Sequence, residues 1–395
     1  MDLDALYREH APGITASLVK SFGPARLDLV EAAVQEAFVA AIEQWGEAPP
    51  ERPAAWLHTT ARRRTIDALR RAAWFAPGEA VEERAAEVSD AHDDGDLLRM
   101  MLVCCHPALS VEAALALALR TLCGFPIPAL CRALLADAPA VEKRLARARQ
   151  TLREERVDVD APDETHVDAV LRTLYVLFLE GYSAHAGSAQ IDEDLCATAI
   201  RLCDLLVRSP LAAPRVHALQ ALFLLQASRL PARVDGEGEI VPLHAQDRGR
   251  WNRGLIARGL EQLAAAAAGE EVSPYHLEAG IAACHALAVR YEDTDWQRIV
   301  ALYDQLMAVQ PSPVVALQRA IAIGRAVGPR QGLRALDAIA DDARLEASPV
   351  LAAAAADLKE RLGDARGARA AYRRALELAG TEPERRFLER KLAEL

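Results

Sequence analysis

The chain has 395 residues, of which 52% are hydrophobic and only 5% aromatic, and its formal net charge is −11. Its length fits about two to four domains of roughly 100 to 200 residues each, and its wealth of Ala and Leu favours helices over strands. Because the net charge is negative, the protein surface as a whole does not attract polyanions. Any such binding must come from local clusters of positive charge, which act within a Debye length of about 8 Å.

Cysteine usage and hydropathy indicate a reducing compartment. The seven cysteines are odd in number and include no C-x-x-C pair, and the N-terminal segment lacks the apolar core of a signal peptide. No apolar run approaches the roughly 18 to 20 residues that cross a bilayer. We therefore expect a soluble cytoplasmic protein without a membrane partner.

The sequence offers little support for an enzyme. Cys104, Cys105 and His106 suggest a metal or redox site, but adjacent helical cysteines point about 100° apart and no second ligand pair is spaced to match. Small buried thiols are the favoured reading. Residues 235–239 lack the spacing of a calcium loop, and no P-loop or dinucleotide motif is present. We expect no catalytic residue, no metal and no cofactor.

The N-terminal segment, residues 1–74, predicts a compact unit of three helices. Apolar periodicity predicts that these helices cover residues 2–22, 27–46 and 53–73. Gly23 and Pro24 separate the first two helices, and a segment rich in Pro and Gly precedes the third.

The third of these helices carries a basic face. Residues 62–71 hold five arginines against one aspartate. At 100° per residue, one stripe comprises Trp56, Thr60, Arg63, Asp67 and Arg70, and the opposite, packing side comprises Leu57, Ala61, Ala68, Leu69 and Ala72. A ring beside arginines can stack on an unpaired base, worth roughly 1 to 3 kcal/mol, while the guanidinium groups neutralise phosphates. The alternative is an ordinary solvated face with a half-buried tryptophan.

An acidic linker leads to a second basic helix. Residues 75–97 contain eight acidic residues and one arginine. Four helical patterns follow, at about residues 97–105, 110–122, 128–136 and 139–155, and the last two have the spacing of a helix-turn-helix.

In the last of these four helices, a packing stripe and a polar face are separated. The packing stripe is Val141, Leu145, Ala148 and Leu152, and the polar face is Lys143, Arg147 and Gln150, flanked by Arg144 and Arg149. In a helix-turn-helix this polar face enters the major groove, where Arg pairs with guanine and Gln with adenine. A face that only improves solubility is the alternative.

Residues 157–395 predict an α-solenoid. Helical patterns follow one another with short breaks, and residues 313–339 resemble residues 349–376 at an offset of 35 to 36 positions. The second copy matches the tetratricopeptide pattern, whose period is about 34 residues. Residues 233–251 lack a helical period and predict a long ordered loop or a small hairpin.

Several of these segments together resemble one family. Residues 28–38, Trp45, residues 53–57 and residues 67–71 closely resemble region two of extracytoplasmic-function sigma factors, and residues 98–155 resemble their region four. Residues 178–182, 233–235, 246–251 and 293–296 are similar to the long helical extension of the sigma subgroup that has tetratricopeptide-like repeats. The resemblance covers essentially the whole chain.

The resemblance implies a promoter-recognition subunit of bacterial RNA polymerase. Region two would bind the clamp helices of core polymerase through Asp28, Glu31, Gln35, Glu36, Phe38 and Trp45. DNA contacts would come from Trp56, Thr60, Arg62, Arg63, Arg64, Arg70 and Arg71 at the −10 element, and from Lys143, Arg144, Arg147, Arg149 and Gln150 at the −35 element. The extension, residues 157–395, would regulate these contacts and offer a solenoid surface to a protein or peptide ligand.

Some positions depart from the family pattern. Arg63 stands where relatives commonly carry Asn, residues 126–128 replace an opening Ser or Thr, and Ala140 replaces a hydroxyl residue. These departures leave phosphate contact intact but put base preference in doubt. They also motivate a second hypothesis, a helical-repeat adaptor or sensor with a degenerate sigma-like docking module.

Overall fold

The computed structural model describes residues 3–45, 50–75, 94–134, 136–155, 157, 162–182 and 192–395. Within these ranges the chain forms eighteen α-helices, and its β-structure is limited to one isolated antiparallel bridge. The prediction of an all-α fold is confirmed. Contacts divide the chain into two compact units, Met1–Leu177 and Phe178–Leu395. The functional limits expected after residues 74, 97 and 156 stay predictions.

Eight helices begin in the first unit. They are α1 (Leu3–Phe22), α2 (Leu27–Trp45), α3 (Pro53–Phe75), α4 (Asp94–Cys104), α5 (Val111–Thr121), α6 (Ile127–Ala133), α7 (Ala138–Glu154) and α8 (Glu164–Tyr182). The seven helices predicted here are confirmed to within a few residues. Of the predicted acidic linker, residues 76–93 lie outside the described residues, and residues 94–97 form the first turn of α4.

Turn chemistry explains where these helices begin and end. Gly23 follows α1 with φ at +89°, a conformation that glycine adopts without steric cost. The Ser110 side chain accepts a hydrogen bond from the Ala113 N–H and so caps α5. Asp137 caps α7 in the same way through the Ala140 N–H, at 2.9 Å. The start of α7 is therefore encoded locally.

One core joins the helices on either side of the acidic linker. α1 packs on α4 as well as on α2 and α3. Leu18 of α1, Leu57 of α3 and Met101 of α4 are fully buried, and Lys20 of α1 forms an ion pair with Asp96 of α4. The sequence predicted two separate helical regions, whereas the structure packs them as one body.

The second unit is a succession of helices that pack on their neighbours in the chain. They are α9 (Glu193–Val207), α10 (Pro214–Ala227), α11 (Arg253–Ala266), α12 (Pro274–Leu287), α13 (Trp296–Val309), α14 (Pro313–Ala326), α15 (Pro329–Asp337), α16 (Pro349–Arg361), α17 (Ala365–Leu378) and α18 (Glu382–Glu394). α14 pairs with α15 and α16 pairs with α17, at the positions of the predicted repeat. Gly332 lets α15 approach α14 closely, because a Cβ there would lie 2.7 Å from Gly324 Cα.

Residues 233–251 form an ordered irregular segment, as predicted. Val234 and Ile240 make the isolated bridge, and short 3-10 turns follow. Glu239 of this segment is buried and accepts hydrogen bonds from Arg386 and Arg390 of α18. These two ion pairs tie the irregular segment to a helix far along the chain.

Candidate nucleic-acid interface

The basic face of α3 is exposed along most of its length. Leu57, Ala61 and Leu69 are buried, which confirms much of the predicted packing side, although Thr65 and Ile66 are buried too. The predicted DNA-contact residues divide by exposure: Arg63, Arg70 and Arg71 are exposed, and Trp56, Thr60, Arg62 and Arg64 are half-buried. Cations therefore line the outside of this helix.

The two tryptophans predicted for different partners contact each other. Trp56 of α3 and Trp45 at the end of α2 have ring centroids 5.3 Å apart in an edge-to-face arrangement. Trp45 Nε1 is buried and has no hydrogen-bond partner among the described residues. Part of the Trp56 ring remains accessible, so stacking on a base is compatible with this geometry.

The predicted packing stripe of α7 is confirmed. Val141, Leu145, Ala148 and Leu152 are all buried, at 2% exposure or less. On the other side of the helix, Lys143, Arg147 and Gln150 are exposed, and Gln150 donates a hydrogen bond to Glu154 at 2.7 Å. The period of the sequence thus placed both faces correctly.

A basic groove lies between α7 and the start of α5. Its volume is about 420 Å³, and Arg144, Arg147 and Thr151 line one side while Ser110 and Glu112 line the other. The pKa of Glu112 is lowered chiefly by hydrogen bonds to its own backbone N–H and to Ser110, and also by Arg144. Two guanidinium groups beside a helix N-terminus form a favourable environment for a phosphate.

Arg149 and Arg153 do not face solvent in the same way, because they form ion pairs with α2. Arg149 Nε donates to Glu31 at 3.1 Å, and a second Arg149 nitrogen bonds the same carboxylate. Thr121 also donates to Glu31, at 2.6 Å. Arg153 pairs with Asp28 at 2.9 Å. In this structure, an Arg149 contact with DNA requires its ion pair to break.

The acidic residues predicted to bind polymerase are therefore all occupied by arginines. Asp28 and Glu31 pair with α7, and Glu36 pairs with Arg64 of α3 at 2.9 Å. Gln35 is exposed. Phe38 is 6% exposed and packs on Tyr7 at a centroid distance of 4.9 Å, so its ring supports the core and offers no surface in this state.

Two exposed residues of α2 were missed by the sequence analysis. Val39 and Ile42 are 54% and 53% exposed, between Gln35 and Trp45. Exposed aliphatic residues on one short stretch of helix favour contact with a partner. Their signal in the sequence is that they lie off the packing stripe of α2.

The cysteine pair is buried, as predicted. Cys104 and Cys105 are at most 1% exposed, and burial raises the pKa of Cys105 to about 12. A thiol held protonated in this way is a poor nucleophile and metal ligand. Over the part of the chain that the structure describes, no group of three or more His, Cys, Asp or Glu side chains could hold a metal ion. Nor does any described helix combine the length and apolar character that bilayer crossing needs.

The N-terminal region combines three helices, of which α3 is cationic and α2 acidic, and its similarity to a known family supports a sigma-factor-like protein. The family model for sigma-70 region 2 matches residues 6–75, which span α1 to α3. A model for a family of unknown function, DUF6596, matches residues 166–267. No solved structure matches the chain.

A relative that is similar over most of its length shows the family. An uncharacterised protein of Rhizobium meliloti (strain 1021) is 38% identical over 384 residues, which cover 93% of this chain and 90% of the relative. The chain belongs to the same family as this protein.

Proposed function

We propose that this protein is a sigma factor of the extracytoplasmic-function type, which directs core RNA polymerase to specific promoters. The sigma-70 region 2 match over residues 6–75 is the observation that carries the proposal. In this proposal α2 binds the clamp helices of core polymerase, and the exposed Val39 and Ile42 extend the predicted contact surface.

Promoter DNA is held at two places. The cations of α3, with Arg63 and Arg70 exposed, contact the −10 element, and Trp56 stacks on an unpaired base. α6 and α7 act as a helix-turn-helix at the −35 element, with Arg147 in the major groove and Arg144 near phosphate. The buried stripe of α7 supports this orientation, because it leaves Lys143 and Arg147 on the outer face.

The ion pairs between α7 and α2 favour a closed resting state. Arg149 and Arg153 cover Glu31 and Asp28, which are needed for polymerase in the proposed function. The two regions must therefore separate before the protein can bind polymerase and a −35 element together. We infer that opening is the step at which activity is controlled.

The C-terminal helices regulate this step from within the same chain. Their helix pairs, α14 with α15 and α16 with α17, support a tetratricopeptide-like solenoid that receives a protein or peptide ligand. A chain that ends after α8, at residue 182, is then expected to keep core binding but to change transcriptional output. Unchanged output would contradict regulation by this part of the chain.

Reconstituted transcription tests the function itself. Purified full-length protein and core polymerase are incubated with a library of promoter fragments, and run-off transcripts are sequenced. We expect initiation from a selected subset, and weaker promoter opening by Arg63→Ala and Arg70→Ala. Arg330→Ala removes an exposed arginine of α15 and serves as the matched control. A protein that never binds core polymerase would refute the proposal.

The occupied arginines of α7 also favour a second candidate, an adaptor whose sigma-like region only docks. Arg149 and Arg153 are both engaged by α2 in the structure. A footprint of the full chain with polymerase on DNA discriminates between the two. An adaptor captures a partner protein through its C-terminal helices and leaves no footprint.

A further inference from the structure

The second unit contains a small cavity lined by arginines, here called the arginine pocket. It lies between the end of α10 and the irregular segment 233–251, and its volume is about 210 Å³. Arg229, Arg233 and Gln246 supply its polar lining, and Ile240, Val241 and Leu243 contribute to its apolar wall. Drug-sized ligands occupy roughly 300 to 1,000 Å³, so this cavity fits a smaller molecule.

Among the residues that the structure describes, no carboxylate neutralises the two cations of the pocket. Arg229 Nε is buried without a hydrogen-bond partner, and neither Arg229 nor Arg233 forms an ion pair with any described residue. Arg233 donates to the carbonyl oxygen of Tyr182 and lies 3.9 Å from the centre of its ring. Residues 183–191, outside the described residues, contain no Asp or Glu.

A third arginine next to the pocket increases the positive charge. Arg248 is 8% exposed and donates to the carbonyl oxygens of His285 and Ala288, at 2.6 and 2.7 Å. Arg229 and Arg248 share the ring of Trp251, at 5.4 and 4.5 Å from its centroid. Arg248 is satisfied by backbone oxygens, whereas Arg229 lies near two further cations, Arg233 and Arg248, and its Nε finds no acceptor among the described residues.

Gln246 presents an unpartnered acceptor to the same cavity. The residue is 9% exposed, and its Nε2 donates to Val241 O at 3.0 Å. Its Oε1 is buried and has no partner within the described part of the chain. A buried polar atom without a hydrogen bond costs about 1 to 3 kcal/mol. Guanidinium groups and an orphaned amide oxygen around one hollow together indicate a ligand with an anionic group and a donor.

We propose that the arginine pocket binds a small organic carboxylate that carries a hydrogen-bond donor, such as a short-chain hydroxy acid. The carboxylate accepts from Arg229 and Arg233, whose planar donors fit its two oxygens. The donor reaches Gln246 Oε1, and the hydrocarbon body packs on Val241 and Leu243. The apolar wall favours a carboxylate with a hydrocarbon body over inorganic phosphate. This site goes beyond the proposed promoter function, and its test does not involve polymerase.

Calorimetric titration of the full-length protein tests the proposal with four probes. These are 2-hydroxybutyrate, butyrate, the neutral 2-hydroxybutyramide and inorganic phosphate. We expect saturable binding of 2-hydroxybutyrate with a rise in Tm, weaker binding of butyrate, and none of the amide. Binding of phosphate without binding of either carboxylate would overturn the ligand class, and no binding of any probe would overturn the site.

Variants locate the binding. Arg229→Gln should lower the affinity for 2-hydroxybutyrate at least about tenfold, which equals about 1.4 kcal/mol. The control Arg250→Gln, at an exposed arginine of the same segment, should change this affinity less than about twofold. Gln246→Leu should remove the preference for the hydroxy acid over butyrate, a result that loss of folding cannot mimic. Leu243→Trp fills the hollow and should abolish binding. Equal affinities in Arg229→Gln and Arg250→Gln, or wild-type binding by Leu243→Trp, would refute the assignment.

Discussion

The ion pair between α7 and α2 makes a prediction about the affinity for polymerase. We consider Arg149→Met, which removes both hydrogen bonds to Glu31 and leaves that carboxylate with Thr121 as a donor. The Arg149 and Glu31 side chains are 21% and 11% exposed. Exposed pairs contribute about 0.2 to 1 kcal/mol, and breaking a fully buried pair costs about 3 to 5 kcal/mol. Because this pair is partly buried, we take an intermediate free energy of about 2 kcal/mol for its contribution to the closed state.

That free energy sets the size of the expected effect. Weakening the closed state by about 2 kcal/mol lowers the ratio of closed to open protein roughly 30-fold. The apparent affinity for polymerase is proportional to the fraction of protein in the open state. Arg149→Met should therefore bind core polymerase up to about 30-fold more tightly than the wild type. The control Arg153→Met breaks an exposed pair, at 43% and 52% exposure, and should gain only about twofold.

Fluorescence anisotropy of dye-labelled full-length protein, titrated with core polymerase, measures this change. Hydrogen exchange should rise at the same time in residues 24–31 and 145–153, because these segments separate. Circular dichroism checks that the variant is folded. A folded Arg149→Met variant that binds polymerase no better than the wild type would refute the closed state as a barrier to binding.

Three further predictions concern DNA, packing and pH. Arg147→Ala should lose about 1 to 3 kcal/mol of binding free energy at one base pair of the −35 element. Competition between promoter variants should show this loss as a relaxed preference at that base pair. If the variant and the wild type rank the promoters equally, Arg147 does not contact a base in the groove. Gly332→Ala places a Cβ 2.7 Å from Gly324 Cα and should lower the free energy of unfolding, measured by denaturant titration, by about 1 to 3 kcal/mol. The control is Gly380→Ala, whose Cβ meets nothing within 4 Å. It should change the free energy of unfolding by no more than about 0.5 kcal/mol. Burial and the nearby arginines lower the pKa of His285 from 6.5 to about 3, so between those values the unfolded chain binds a proton that the folded chain does not. Stability should therefore fall as the pH drops through this window, by up to about 1.4 kcal/mol per unit, and His285→Phe should flatten the profile; an unchanged slope would contradict a buried neutral imidazole.

Local rules explain how much of the fold was predictable. Pro and Gly mark the helix ends, and the 3.6-residue period placed Val141, Leu145 and Leu152 in the core of unit one. The same period correctly left Lys143 and Arg147 on the surface. These features depend only on residues within a few turns of helix.

The partners of charged side chains were not predictable in this way. From the sequence alone, Arg149 could equally have pointed into solvent or paired with Glu31. The two residues are 118 positions apart, and no local pattern links them. Residues 233–251 have no period at all, so neither the contact of Arg233 with Tyr182 nor the burial of Gln246 follows from their sequence. The candidate surfaces could be read from the sequence, but the ion pairs that occupy them depend on tertiary packing.

The tie between Glu239 and α18 has a consequence for biosynthesis. Arg386 and Arg390 are translated 147 and 151 positions after Glu239. At about 5 to 20 residues per second, the ribosome needs roughly 7 to 30 s to make them. During that interval the Glu239 carboxylate has no arginine partner from α18. The segment 233–251, which forms part of the arginine pocket, is then not yet held by these ion pairs. The nascent chain would therefore complete the arginine pocket only after α18 has been synthesised, late in its maturation.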